Sequence, residues 1–225
     1  MSKPREQWRY LALLISILFL FVVTPVAAVF RHGVLIMDAL AAVVLVTASY
    51  ALSERKRLLA VALGLCGLSV VATGLLLLTQ HRWAAIFSHS SVIVLILYFC
   101  VTILTYVLRG ARITLDKIFA AVCVYMLLGY AWTFAYALVN DLQPGSFVAA
   151  SPLNPSEYVA HVLALRYFSF MTLTTVGYGD IVPQGATART LASLEAVTGQ
   201  IYLMVLVARL VGLHIVHAHS GKKDT

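Results

Sequence analysis

The chain has 225 residues, of which 61% are hydrophobic and 11% charged, and a formal net charge of +7, with a mean hydropathy of +0.93. This composition excludes a soluble globular domain of this size and predicts an integral membrane protein. The basic residues flank apolar segments, so the positive charge reads as topology and contact with anionic lipid, with no call for nucleic acid.

Six segments reach the ~20 apolar residues that a helix needs to cross a bilayer. They run from Trp8 to Phe30, Gly33 to Ser53, Leu58 to Gln80, Trp83 to Leu108, Ile118 to Asn140 and Thr190 to His214. The first lacks a small-residue cleavage site flanked by polar sequence and reads as a retained helix. Asp38 is the one acid in the first four spans. It lies near the expected outer surface, where it is solvated, paired with Arg31 or Arg82, or involved in sensing. Cys66, Cys100 and Cys123 fall inside spans, where thiols behave as small apolar side chains. From Ala84 to Leu108 there is no Lys, Arg, Asp or Glu, and His89 stands out as the titratable group.

A basic linker from Arg109 to Lys117 separates four closely connected spans from the rest. If the N-terminus is cytoplasmic, Lys3, Arg5, Arg9, Arg55, Lys56, Arg57, Arg109, Arg112, Lys117, Lys222 and Lys223 all face the cytoplasm. Arg31, Arg82, Arg166 and Arg189 fall outside, and Arg209 stays within the sixth span. That asymmetry predicts both termini inside and the connection after the fifth span outside. The connection opens with turn formers (Pro144, Gly145, Pro152, Asn154, Pro155), and Ser156 is a plausible N-cap for a helix from Glu157 to near Thr174. Such a helix is too short to span. The non-helical backbone after it is tolerated in a membrane only when buried in protein or lining a water-filled path.

That backbone reads Thr174-Thr175-Val176-Gly177-Tyr178-Gly179-Asp180. Consecutive carbonyls replace the water of a bare cation only when they point the same way, which requires positive φ at alternate residues, and glycine tolerates positive φ. Gly177 and Gly179 meet that demand. A phosphate-binding loop would want a following lysine, yet none occurs between Lys117 and Lys222. One loop cannot surround an ion, so four chains are required.

The string and its setting between two apolar spans resemble the selectivity filter of six-transmembrane potassium channels of the prokaryotic voltage-gated-like superfamily. The resemblance is strongest from Ala164 to Gly212. It implies an all-α membrane protein with six transmembrane helices plus a re-entrant pore helix and selectivity-filter loop, assembled as a homotetramer around a tetrameric pore. The implied division is a voltage-sensor-like unit without gating charges (1–108), a cytoplasmic linker (109–117), a pore domain (118–215) and a short cytoplasmic tail (216–225). The implied location is the plasma membrane, with the chain's partners being its own copies and lipid, and a separate regulatory subunit left open.

By the same resemblance the carbonyls of Thr175, Val176, Gly177 and Tyr178 bind K+, which is the permeant ion, and no cofactor is called for. Thr174, Gly179, Asp180 and Tyr167 support the filter, Asp180 either bonding Tyr167 or concentrating cations. Many relatives carry a carboxylate where this chain has Met171. Gly199, at the separation from Thr175 where relatives hinge the inner helix, reads as a hinge or a close-packing site, and Gly212 as packing or a bend near the gate. His214, His217 and His219 read as interfacial residues or a pH sensor at the inner mouth. Arg166 either snorkels outward or bridges Glu195.

A voltage sensor needs Arg or Lys at every third position of the fourth span, since one charge contributes about 2.3 kcal/mol per 100 mV. Weak or absent voltage dependence is therefore expected. The eleven residues after His214 are too few for a regulatory module. No catalytic constellation appears, so the chain is not read as an enzyme. The rival readings are a channel-like sensor or scaffold subunit that conducts little, and the ion-conducting subunit of a potassium transporter.

Overall fold

A computed structural model describes residues 8–27, 30, 33–51, 56–109, 114–149 and 158–220, the side chains of 33–39, 158, 210, 211 and 213–220 excepted. Among these are seven helices: α1 (Arg9–Ala27), α2 (Gly33–Ala51), α3 (Lys56–Thr79), α4 (Arg82–Leu108), α5 (Leu115–Leu142), α6 (Tyr158–Leu173) and α7 (Ala186–Ser220). Five stretches are long and apolar enough to cross a membrane: α1, α3, α4, α5 and the Ala186–Arg209 part of α7. The 16 residues of α6 rise ~24 Å, short of the ~30 Å hydrocarbon layer.

Local signals place the helix ends. The Thr114 side chain caps α5 by accepting from the Lys117 amide, and Asp116 sits in its first turn. At the end of α6 the Thr174 hydroxyl turns back onto the Phe170 carbonyl (2.6 Å). With no proline inside it, α7 runs through Ser220. The boundary expected at 215 therefore falls inside a helix, which takes in much of the expected tail.

The helices pack as α1 on α2 and α5, α3 on α4, α4 on α5, α5 on α6, and α6 on α7. One apolar core joins α1 (Leu13, Ile17), α4 (Phe99, Ile103) and α5 (Val124, Leu127). Asp116, buried at the start of α5, ties the same elements together: it accepts from the Tyr10 amide (3.2 Å) and from the Tyr106 hydroxyl (2.9 Å). The rings of Tyr10 and Tyr106 stack at 4.8 Å. In this chain the first unit thus rests on its own α5.

A second core joins Tyr136, Phe147, Leu165, Phe168 and Ile181. Part of it is a short antiparallel pair, β1 (Phe147–Ala149) with β2 (Ile181–Pro183), in which Ala149 faces Ile181 and Phe147 faces Pro183. The sequence suggested only turns before the pore helix. Buried Phe147 and Ile181 show why strands form here: each strand puts one large apolar side chain inward and leaves its neighbour exposed.

Candidate functional site

The 174–180 loop leaves the C-terminal end of α6 with positive φ at every second residue: Thr175 (+60°), Gly177 (+57°) and Gly179 (+77°). The two glycines adopt this region freely, whereas Thr175 carries local strain that its surroundings must hold in place. They do so through the amides. Val176 and Gly177 both donate to the Met171 carbonyl (2.9 and 3.1 Å), and Thr175 donates to Thr172 (2.9 Å). None of the described hydrogen bonds uses the carbonyls of Thr175, Val176, Gly177 or Tyr178. The loop therefore presents a run of acceptors, with the amides of Thr175, Val176 and Gly177 tied back to α6. The Val176 and Tyr178 side chains are exposed in the single chain.

At the far end of the loop Asp180 accepts from the Ile181 amide (3.2 Å). Ile181 then opens β2, so the loop is clamped at one end by α6 and at the other by the strand pair. The Gln184 amide closes this brace on the Ser146 carbonyl (2.9 Å).

Behind the loop, Gly199 marks the crossing of α7 over the end of α6. A methyl built there would lie 2.4 Å from the Leu173 carbonyl oxygen and 3.0 Å from its Cδ1. Close approach of the two helices thus requires glycine at 199. Gly212 has open space around its Cα, so no contact within the chain requires glycine there. His214 and His217 lie on α7, their side chains, like that of Asp38 on α2, outside the described residues.

The pair expected between Arg166 and Glu195 is not formed. Glu195, fully buried on α7, accepts from the Ser169 hydroxyl of α6 (2.5 Å) and from the Tyr136 hydroxyl of α5. Arg166, 7% exposed and so not snorkelled to the surface, turns to α1. There it donates to the Thr24 hydroxyl (2.9 Å) and the Phe21 carbonyl (3.3 Å). Each is met by neutral groups, Arg166 on α1 and Glu195 on α5 and α6. Ser169 also sits 2.8 Å from the Gly129 carbonyl. Gly129 admits the Phe170 ring, which would lie 2.6 Å from a methyl there.

The sequence reading missed Tyr136, Ser169, Gly129 and the acceptors on α1. Glycine within the fifth span and proline within the first were the available signals. It also missed the tie between the first half of α4 and the end of α5, where His89, 2% exposed, meets Asp141 at 2.7 Å. Arg82 is committed there as well, donating to the α5-terminal carbonyls of Asp141 and Leu142 (2.7 and 2.8 Å).

A family described as "Ion channel" matches residues 146–214, which covers α6, the loop and most of α7. Protein LctB of Bacillus caldotenax is 37% identical over 103 residues, 44% of this chain and 74% of the relative. The inward rectifier potassium channel Kirbac3.1 of Paramagnetospirillum magnetotacticum is 31% identical over 86 residues, 36% of this chain and 24% of the relative. Two-pore potassium channel 4 of Arabidopsis thaliana is 47% identical over 45 residues, 20% of this chain and 16% of the relative. No solved structure matches the chain.

Proposed function

Because the chain belongs to the ion-channel family, we propose that it is a potassium-selective pore built from four copies of itself and not strongly gated by voltage. The observation that carries the reading is the alternation of positive φ at Thr175, Gly177 and Gly179, with the Thr175, Val176 and Gly177 amides held on α6. In that backbone the carbonyls of Thr175, Val176, Gly177 and Tyr178 replace the hydration shell of K+, and the Thr175 hydroxyl closes the innermost position. Thr174, Gly179, Asp180 and Tyr167 hold the loop. Two of the relatives are named as potassium channels, which favours K+ over other cations.

On this reading α2 completes six crossings, α6 is the re-entrant pore helix and α7 lines the inner pore. The working division is 1–108, 109–117 and 118–215, with α7 continuing beyond 215. The protein sits in the plasma membrane with both termini cytoplasmic, passes ions down their gradient and catalyses no covalent step. Gly199 and Gly212, with His214 and His217 at the inner mouth, are the places to look for a gate.

From Ala84 to Leu108 the fourth helix carries no Lys, Arg, Asp or Glu, which supports the voltage reading. With about 2.3 kcal/mol available per charge per 100 mV, a span without charged residues contributes little bias to opening. In planar bilayers the conductance–voltage slope is expected to correspond to less than about one charge per chain. A steep slope with several charges per chain contradicts it.

Purified protein in potassium-loaded liposomes tests the whole proposal. Rubidium uptake that barium blocks, without matching sodium uptake, is expected. Equal sodium uptake contradicts selectivity, and no flux from a folded tetramer favours the scaffold reading.

A further inference from the structure

Arg166 is a cation buried on the pore helix, and the partners it makes include no carboxylate. Burying a guanidinium is costly unless its donors are met. Two of those donors are met by one turn of α1, and the reason lies in a proline. Pro25 is inside α1 and has no N–H, so the carbonyl four residues before it, that of Phe21, lacks its helical donor. One guanidinium nitrogen of Arg166 fills that vacancy at 3.3 Å. A second donates to Thr24 Oγ1 at 2.9 Å, and the Thr24 hydroxyl itself donates to the Leu20 carbonyl, leaving a lone pair for the arginine. The Phe21 ring lies 4.8 Å from the guanidinium carbon, within cation–π range.

One turn further along α6, Phe170 packs edge-on against the same Phe21 ring, with centroids 4.8 Å apart. The pore helix is thus held by α1 at two successive turns. From there the connection to the loop is short. The Phe170 carbonyl accepts from Thr174, and the adjacent Met171 carbonyl accepts from Val176 and Gly177. A rotation or slide of α6 moves the very acceptors that hold the loop amides.

We propose that Arg166 is a positioning residue through which α1 sets the place of the pore helix, with Pro25 supplying the acceptor that makes the contact possible. The first four-helix unit then acts on the 174–180 loop directly, through the pore helix, without passing through the 109–117 linker or α7. The role rests on reading that loop as the filter, whereas the contact itself does not.

The test uses the full-length tetramer with Pro25→Ala, Arg166→Gln, Arg166→Lys and the Pro25→Ala/Arg166→Gln double variant. Two readouts are compared: barium-sensitive rubidium flux in liposomes, and the difference in tetramer melting temperature between potassium and sodium. Pro25→Ala restores a regular helix, so a loss of function there cannot be ascribed to a broken α1. It is expected to lower flux about three- to tenfold and to shrink the potassium-over-sodium difference. Arg166→Lys keeps the charge without the planar fork and is expected to recover part of what Arg166→Gln loses. The double variant is expected to match Arg166→Gln alone, because both changes remove one contact. If Pro25→Ala behaves as wild type, or if the two effects multiply, the proposal is overturned. Should Arg166→Gln fail to assemble, Pro25→Ala and Arg166→Lys decide on the same criteria. A wild-type tetramer that melts alike in potassium and sodium and passes no rubidium would overturn the filter reading instead. The coupling in melting temperature between Pro25 and Arg166 would still judge the contact.

Discussion

The 174–180 loop and the four helices before residue 109 use polarity in opposite ways. In the loop the backbone is the polar element, and side chains matter through the φ values they permit and the contacts that brace them. In the first unit the backbone is helical and the polarity sits in a few side chains, each bonded across a helix boundary. Thr24 meets Arg166, His89 meets Asp141, Tyr98 reaches the Leu58 carbonyl (2.7 Å) and Tyr106 meets Asp116. Three of those four ties end on α5 or α6. On the proposed reading the first unit braces the pore and moves no charge through the membrane field.

The largest expected effect comes from the loop. Gly177→Ala places an L-residue at φ +57°, at about 1–2 kcal/mol per chain and so about four times that in a tetramer. Rubidium flux should be lost while the four-helix unit stays folded by circular dichroism. Retained selective flux would break the contrast between the regions.

Next comes the seam behind the loop. Gly199→Ala drives a methyl into the Leu173 carbonyl, an overpacking of about 1–3 kcal/mol per chain. Flux and tetramer melting temperature should fall together. Unchanged melting temperature with lower open probability would point to a hinge at Gly199 instead of the seam.

Glu195 sharpens the comparison on a smaller scale. Glu195→Leu leaves the Tyr136 hydroxyl without its acceptor, whereas Ser169 keeps the Gly129 carbonyl, at about 1–3 kcal/mol for the orphaned group. Glu195→Gln keeps an oxygen for one hydroxyl and an amide for the other, and is expected to cost about 1 kcal/mol or less. Thermal melts of both variants check the order. A Gln variant as damaged as the Leu variant would mean that charge at Glu195 matters beyond its hydrogen bonds.

How much was legible in the sequence follows from how local each determinant is. The helices are visible because the bilayer demands about 20 apolar residues in a row. The glycines of the loop are visible because positive φ is a demand on single residues. The strand pair was hidden because two three-residue strands form only when segments far apart in sequence meet. The partners of Arg166 were hidden for the same reason: the Phe21 carbonyl lies 145 positions away, and only the folded chain brings it, freed by Pro25, to an arginine on α6. Glu195 was singled out as one alternative partner of Arg166 and instead meets Tyr136 and Ser169, since hydropathy along a helix does not say which neighbour its face meets.

Anomalous diffraction from the tetramer crystallised in thallium or rubidium addresses the central claim most directly. The account predicts a row of anomalous peaks on a four-fold axis, level with the carbonyls of Thr175, Val176, Gly177 and Tyr178, that disappears when sodium replaces the heavier ion. A tetramer with no peaks at those carbonyls, or an assembly in which the loops do not meet on one axis, would contradict it.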